Sequence, residues 1–180
     1  MSDETAMSDE TALSDETALS DETAMSESQA HNWDLPDPFI LPITVREEDT
    51  DRLGHANNVV YVRWMEDVSW AHIESLGMTW ALHEETGKAM AITHTEVDYL
   101  LSANAGDELV LGTWLTDWDG RFRSARQFQL IRVADGKTLL RGLSTHACVD
   151  MKSQRPSRAP KAFAEILSGA LVPGGRGLPL

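Results

Sequence analysis

Three turns limit what this chain can become. Ala105-Gly106-Asp107, Asp119-Gly120 and Asp135-Gly136 interrupt four long apolar-rich segments: 89–101, 108–117, 122–134 and 138–150. An Asp-Gly pair between strand-like runs reads as a tight hairpin, because glycine takes up positive φ without a steric penalty. Four strands joined this way predict an antiparallel meander. A fifth strand is predicted upstream, at Phe39 to Arg46, followed by the loop Glu47 to Ala56.

One long helix is predicted between that loop and the meander. Asn57 or Asn58 offers an N-cap, and Gly77 closes the segment after Leu76. Tyr61, Trp64, Met65, Val68, Ala71, His72 and Leu76 fall on one side at helical spacing. Val59, Val62, Trp70 and Ile73 widen the apolar arc almost all round, the pattern of a helix enclosed by a sheet. The expected fold class is therefore α+β, a long central helix wrapped by a mainly antiparallel five-stranded sheet. A short amphipathic helix is expected over Pro160 to Leu171, with a frayed Gly/Pro-rich end from Pro173.

The N-terminus is of another kind. Residues 2–25 are four consecutive units of SDETA followed by Met or Leu. One apolar residue in six fits neither helix nor strand, and such a segment buries too little to offset its ordering entropy. Residues 1–36 are thus read as a disordered acidic arm and connector, 37–160 as the folded domain, and 161–180 as the short helix and tail. The arm also explains the charge. Of the 29 acidic residues nine lie in 1–30, where there is no Lys or Arg, so the formal −14 falls to −5 over the rest of the chain. An acidic body with an acidic arm argues against nucleic acid as a partner. The single cysteine, Cys148, rules out an internal disulfide. No secretory pattern and no apolar stretch of spanning length is present, so a cytoplasmic protein without a membrane span is expected. No pair of histidines has convincing metal spacing, and neither metal nor cofactor is expected.

The loop before the helix concentrates polar chemistry. Asp49-Thr50-Asp51-Arg52-Leu53-Gly54-His55-Ala56-Asn57-Asn58 brings carboxylates, an imidazole and two amides to a helix start. Helix N-terminal N–H groups are unpaired and partly positive, and can stabilise an oxyanion. Taken singly, Asp49 and Thr50 suit a turn, and Asn57 and Asn58 suit a cap.

This stretch, with Tyr61, resembles the signature of the 4-hydroxybenzoyl-CoA thioesterase family of hotdog-fold proteins, in its Gly-His-Val-Asn-Asn subgroup, with Ala56 in place of the usual Val. The segments Glu96-Val97-Asp98-Tyr99-Leu100, Ala105-Gly106-Asp107-Glu108-Leu109, Asp135-Gly136-Lys137 and Arg155-Pro156 extend the resemblance over roughly residues 40–160. It implies a hotdog fold and an acyl-CoA thioesterase, with Asp51 as nucleophile or general base and the Asn58 N–H as oxyanion donor. His55 would orient water or the carboxylate. Gly54, Asn57 and Tyr61 would shape the substrate site, and Arg155 and Arg158 (with Lys161) would meet the phosphates of CoA. The resemblance further implies a homodimer or homotetramer with the site between protomers, acting on acyl-CoA or acyl carrier protein.

Two other readings stand beside it. One is a hotdog enoyl-CoA hydratase or dehydratase, disfavoured because three residues rather than four separate Asp51 from His55. The other is a non-catalytic acyl-thioester binding module. Glu66 and Asp67 on the helix are read as a solvated face, with Arg63 and Asp67 paired across one turn. Trp64, Trp70 and Trp80 are candidates for an acyl pocket, and His72, His94 and His146 are read as core or edge residues.

Overall fold

The computed structural model describes residues 31–177; the SDETA repeats and the arm they were expected to form lie outside the described residues. The elements are β1 (Phe39–Thr44), α1 (Asn58–Ser75), α2 (Trp80–Thr86), β2 (Lys88–Tyr99), β3 (Glu108–Trp118), β4 (Arg123–Arg132), β5 (Thr138–Asp150) and α3 (Lys161–Gly169), with a single 3-10 turn at Glu47–Asp49. The sheet is antiparallel throughout and runs β1-β3-β4-β5-β2. The expected meander holds for β3, β4 and β5 only. β2 pairs with β5 rather than β3, because Leu100 to Asp107 carries the chain across the layer to the opposite edge. Helix α2, which is not among the elements expected from the sequence, closes on Gly87 in the left-handed conformation at φ 62°.

Helix α1 lies in the concave face. Tyr61, Trp64, Met65 and Val68 are buried against Leu109 and Leu111 of β3, Phe128 and Leu130 of β4, and Leu140 of β5. Gly142 of β5 sets how low the helix can sit, since a Cβ there would stand 2.8 Å from the Met65 methyl. The enclosure is one-sided. Val59 is 74% exposed and Val62 40%, so the described residues leave the outer part of the apolar arc uncovered. A second cluster, Met78, Leu115, Trp118, Cys148, Phe163 and Leu167, packs α3 against the far end of the sheet.

The convex face is covered by chain that the sequence assigns to a connector and a frayed end. Asp34 forms a two-point ion pair with Arg141 at 2.6 and 2.8 Å, and Trp114 Nε1 donates to Pro36 O at 2.7 Å. After α3 the chain returns along β3, where Val172 N–H donates to Leu115 O at 2.9 Å, and Arg176 pairs with Glu96 at 2.8 Å. Paired charges and backbone bonds hold both stretches, a cause that Pro/Gly content does not reveal.

Trp33 packs on Gly112, where a Cβ would stand 2.5 Å from the indole. Gly112→Val is therefore expected to lower unfolding free energy by about 1–3 kcal/mol in urea titrations. Combined with Trp33→Ala it should cost less than the two single changes added together, and full additivity would show that the clash is not the cause.

Candidate active site at the start of the central helix

The loop between β1 and α1 is ordered by its own polar atoms. Asp49 is buried, accepts the Arg46 N–H at 3.0 Å and pairs with Arg63 on the first turns of α1 at 2.6 Å. Burial pushes this carboxyl up, but the Arg46 N–H and the Arg63 guanidinium outweigh it and hold it below its ordinary value. Arg63 therefore pairs with Asp49, not with Asp67 as its helical spacing suggested. A buried carboxylate with an amide already bound attracts the guanidinium more strongly than an exposed one a turn away.

Beyond Asp49 the chain turns back on itself. Asp51 N–H donates to His55 O at 2.8 Å, Gly54 N–H to Asp51 O at 3.0 Å, and Leu53 N–H to Asp51 Oδ1 at 2.8 Å. Gly54 sits at φ 77°, the positive value this turn requires. Ala56 N–H then donates to Ala103 O at 2.8 Å, joining the loop to the chain after β2. Asn57 caps α1: its Oδ1 accepts the Val59 N–H at 3.1 Å and its carbonyl the Val60 N–H at 2.8 Å. The Asn58 N–H precedes the first intrahelical bond, at the positive end of an 18-residue helix.

A cleft of about 390 Å³ opens there, lined by Asp51, His55, Asn57, Asn58, Tyr61 and the stretch Tyr99 to Ser102. Tyr61 is buried and its hydroxyl accepts the Ala103 N–H at 3.0 Å, while the Tyr99 hydroxyl donates to Asn58 O at 3.0 Å. Burial raises both phenols above their usual value, so they stay neutral hydrogen-bonding groups. Five of the residues singled out in the sequence thus meet in one cleft, and Gly54 shapes the turn beside it. Arg155 and Arg158 do not join them. Asp150 N–H donates to Arg155 O at the Lys88 end of β2, whereas the cleft is at the Tyr99 end, roughly 35 Å away along the strand at its usual rise. Tyr99, Leu100 and Leu101 are site residues that their own chemistry did not flag, because they are contributed by the end of a strand more than 40 positions on.

A second cavity, of about 290 Å³, lies farther along α1, between that helix, β2 and the concave face of β4 and β5. Of the three tryptophans proposed for an acyl pocket, Trp70 lines this cavity, Trp64 is core, and Trp80 stacks on His83. Two imidazoles border this region. Burial first, and the Arg126 charge second, push His72 down to about 3 and His146 down to about 4. Among the described residues no group of three or more His, Cys, Asp or Glu is placed to hold a metal ion, and no helix is long and apolar enough to cross a membrane.

A long helix held in the hollow of an antiparallel sheet, with a polar cleft at its N-terminus, defines a hotdog-fold protein. Solved structures agree in fold. Slr0204, a 1,4-dihydroxy-2-naphthoyl-CoA thioesterase from Synechocystis, superposes with TM-score 0.66 at 16% identity, covering 73% of this chain and 96% of its own. Staphylococcus aureus SAV2348, solved in complex with CoA, gives 0.69 at 19% identity, covering 77% and 87%. Residues 45–167 match the Thioesterase-like superfamily, and the chain belongs to that family and is a thioester hydrolase. It is also 29% identical over 123 residues to the putative acyl-CoA thioesterase YneP of Bacillus subtilis, a match spanning 68% of this chain and 88% of that protein.

Two outcomes test this electrostatic account. Asp49→Ala strands the Arg46 N–H and frees Arg63, and is expected to cost about 1–3 kcal/mol of stability. Arg63→Met should cost less, because that side chain is 57% exposed. The two depressed imidazoles make stability pH-dependent. The unfolded chain binds their protons below about 6.5, whereas the folded chain takes them up only near 4 and 3. Unfolding free energy should therefore fall as pH drops from about 6.5 toward 4, with a shallower slope in His146→Gln. An identical slope in the variant would refute the assignment.

Proposed function

We propose that the protein is an acyl-CoA thioesterase, working with the residue set of the 4-hydroxybenzoyl-CoA thioesterase family, with Asp51 as its reactive carboxylate. The observation that carries this reading is the sharing of one cleft by the Asp51 carboxylate and the N-terminus of α1. The Leu53 N–H holds Asp51 Oδ1, which fixes the side chain. A thioester carbonyl oxygen set against the Asn58 N–H is polarised by that donor and by the helix dipole. Asp51 then either attacks the carbonyl carbon or takes a proton from the water that attacks it. In the first route the thiolate leaves as a mixed anhydride forms on Asp51, and a water then cleaves that anhydride, releasing the acid and restoring the carboxylate; in the second the water adds, the C–S bond breaks, and the thiolate takes up the proton that Asp51 removed. His55 lies in the same cleft and orients the water or the carboxylate, while Asn57 keeps the helix start in place.

The cleft is completed by a second copy. Leu53, Val59, Val62, Tyr99, Leu100 and Leu101 are exposed around it, and the 12-residue β2 is an edge strand, paired only with β5 among the described residues. A homodimer, or a tetramer built from it, covers this surface, and Arg155 and Arg158 reach the CoA phosphates only from the partner. Acyl carrier protein is the alternative thiol carrier.

The test is thiol release from short, long and aromatic acyl-CoAs by wild type and Asp51→Asn at matched folded concentration. We expect turnover that falls by about a hundredfold or more in the variant. Turnover that is unchanged would remove Asp51 from the chemistry, and none in either protein would remove acyl-CoA as substrate.

A further inference from the structure

Among the described residues no carboxylate forms an ion pair with Arg126. This arginine lies on β4 among the inward-facing positions Ser124, Phe128 and Leu130, and is 3% exposed. Its Nη1 is 2.8 Å from His72 Nδ1 and 3.2 Å from Thr113 Oγ1, both neutral partners. Arg63, Arg132, Arg141 and Arg176 each meet a carboxylate, whereas Arg126 forms no salt bridge among the described residues. Burial pushes its ionisation down to about 10, so it is still charged at neutral pH. The two nearby imidazoles are kept neutral, so they add donors and acceptors but no counter-charge.

A guanidinium so placed lacks what normally retains a buried charge. Arg126 forms part of the wall of the 290 Å³ cavity, and only its Nη1 takes part in the two hydrogen bonds above. The rest of the wall is mainly apolar, including Trp70, Ile73 and Leu115, with exposed Glu66 and Ile92 at the rim. His83 borders the same space. Its Nδ1 lies 2.8 Å from Thr79 O, which assigns the proton to Nδ1 and leaves Nε2 buried without a partner. A smaller cavity shares Glu66, Ser69 and Ile92 with this one and continues toward Val62, in the direction of the Asn58 end of α1.

From this geometry we infer that the cavity takes an apolar chain ending in a carboxylate, with Arg126 as the residue that binds the carboxylate. A planar guanidinium offers paired N–H groups matched to a carboxylate, and the apolar wall takes the chain. Two sources present this chemistry: an acyl group bearing a carboxyl at its far end, or the free acid released by hydrolysis. The choice between them rests on the thioesterase reading, whereas the binding itself does not.

The experiment is calorimetric titration of the full-length protein, and of Arg126→Met and Arg126→Lys, with dodecanoate and with dodecan-1-ol. The two probes share a chain and differ in charge. Wild type should bind dodecanoate about tenfold or more tighter than the alcohol, Arg126→Met should lose that preference, and Arg126→Lys should keep much of it. Equal binding of both probes to wild type, or a preference that survives in Arg126→Met, overturns the inference. Because an unpaired buried charge is held at a cost to the empty protein, Arg126→Met should melt no lower than wild type. A large drop would mark the arginine as structural, and the wild-type comparison of the two probes would then decide. Hydrolysis separates the sources. A kcat/KM about tenfold higher for the mono-CoA thioester of dodecanedioic acid than for dodecanoyl-CoA, lost in Arg126→Met, assigns the carboxylate to the substrate. Arg126-dependent inhibition by dodecanoate without that preference assigns it to the product. If no thioester is hydrolysed the proposed function fails, and the titrations still stand.

Discussion

The burial of one face of α1 organises everything else in the molecule. Tyr61, Trp64, Met65 and Val68 remove a continuous apolar stripe from water only if a curved sheet closes over them. That requirement accounts for the long antiparallel strands and for Gly142, where a side chain would meet Met65. It also places the N-terminus of α1 beside the end of β2, where Tyr61 and Tyr99 tie helix, loop and strand together through their hydroxyls. The cleft is thus a by-product of core packing, fitted with polar groups by the preceding loop.

Much of this is legible in the sequence because it is local. The Asp-Gly turns and the Asn57 cap depend on a few adjacent residues, and the strands and the helix appear within a residue or two of their expected bounds. The concentration of Asp51, His55, Asn57 and Asn58 is local too, and the structure does bring them into one cleft. What the sequence hides is non-local. The crossing of β2 to the far edge depends on competition between β3 and β5 for the same partner. The Arg63 to Asp49 pair depends on which carboxylate is buried, and the docking of Asp34 and Arg176 on charges 80 or more positions away. Arg126 left one faint sign, a charged residue in register with the apolar, inward positions of its strand, whose meaning appears only when no carboxylate is found opposite.

The polar groups of the two cavities divide along the same helix. Near Asn58 an exposed carboxylate, Asp51, shares a cleft with the N-terminus of the helix and accepts a backbone N–H from Leu53. Near His72 a buried guanidinium faces neutral side chains, and the balance is left open. The covered convex face adds rigidity of a different kind, since Trp33 on Gly112 and the ion pairs of Asp34 and Arg176 clamp the sheet from outside.

Because α1 is one uninterrupted rod of 18 residues, it fixes a length as well as a direction. From Asn58 to Ser69 the backbone advances roughly 16 Å, and to Ile73 roughly 22 Å, at the ordinary helical rise. Side-chain replacement can narrow or widen the space along that track but cannot alter its reach. Only adding or removing a turn of helix would do so, and that would also rotate the buried stripe relative to the sheet. The spacing between the cleft and the guanidinium is therefore a dimension that gradual substitution leaves unchanged, a ruler graduated in backbone.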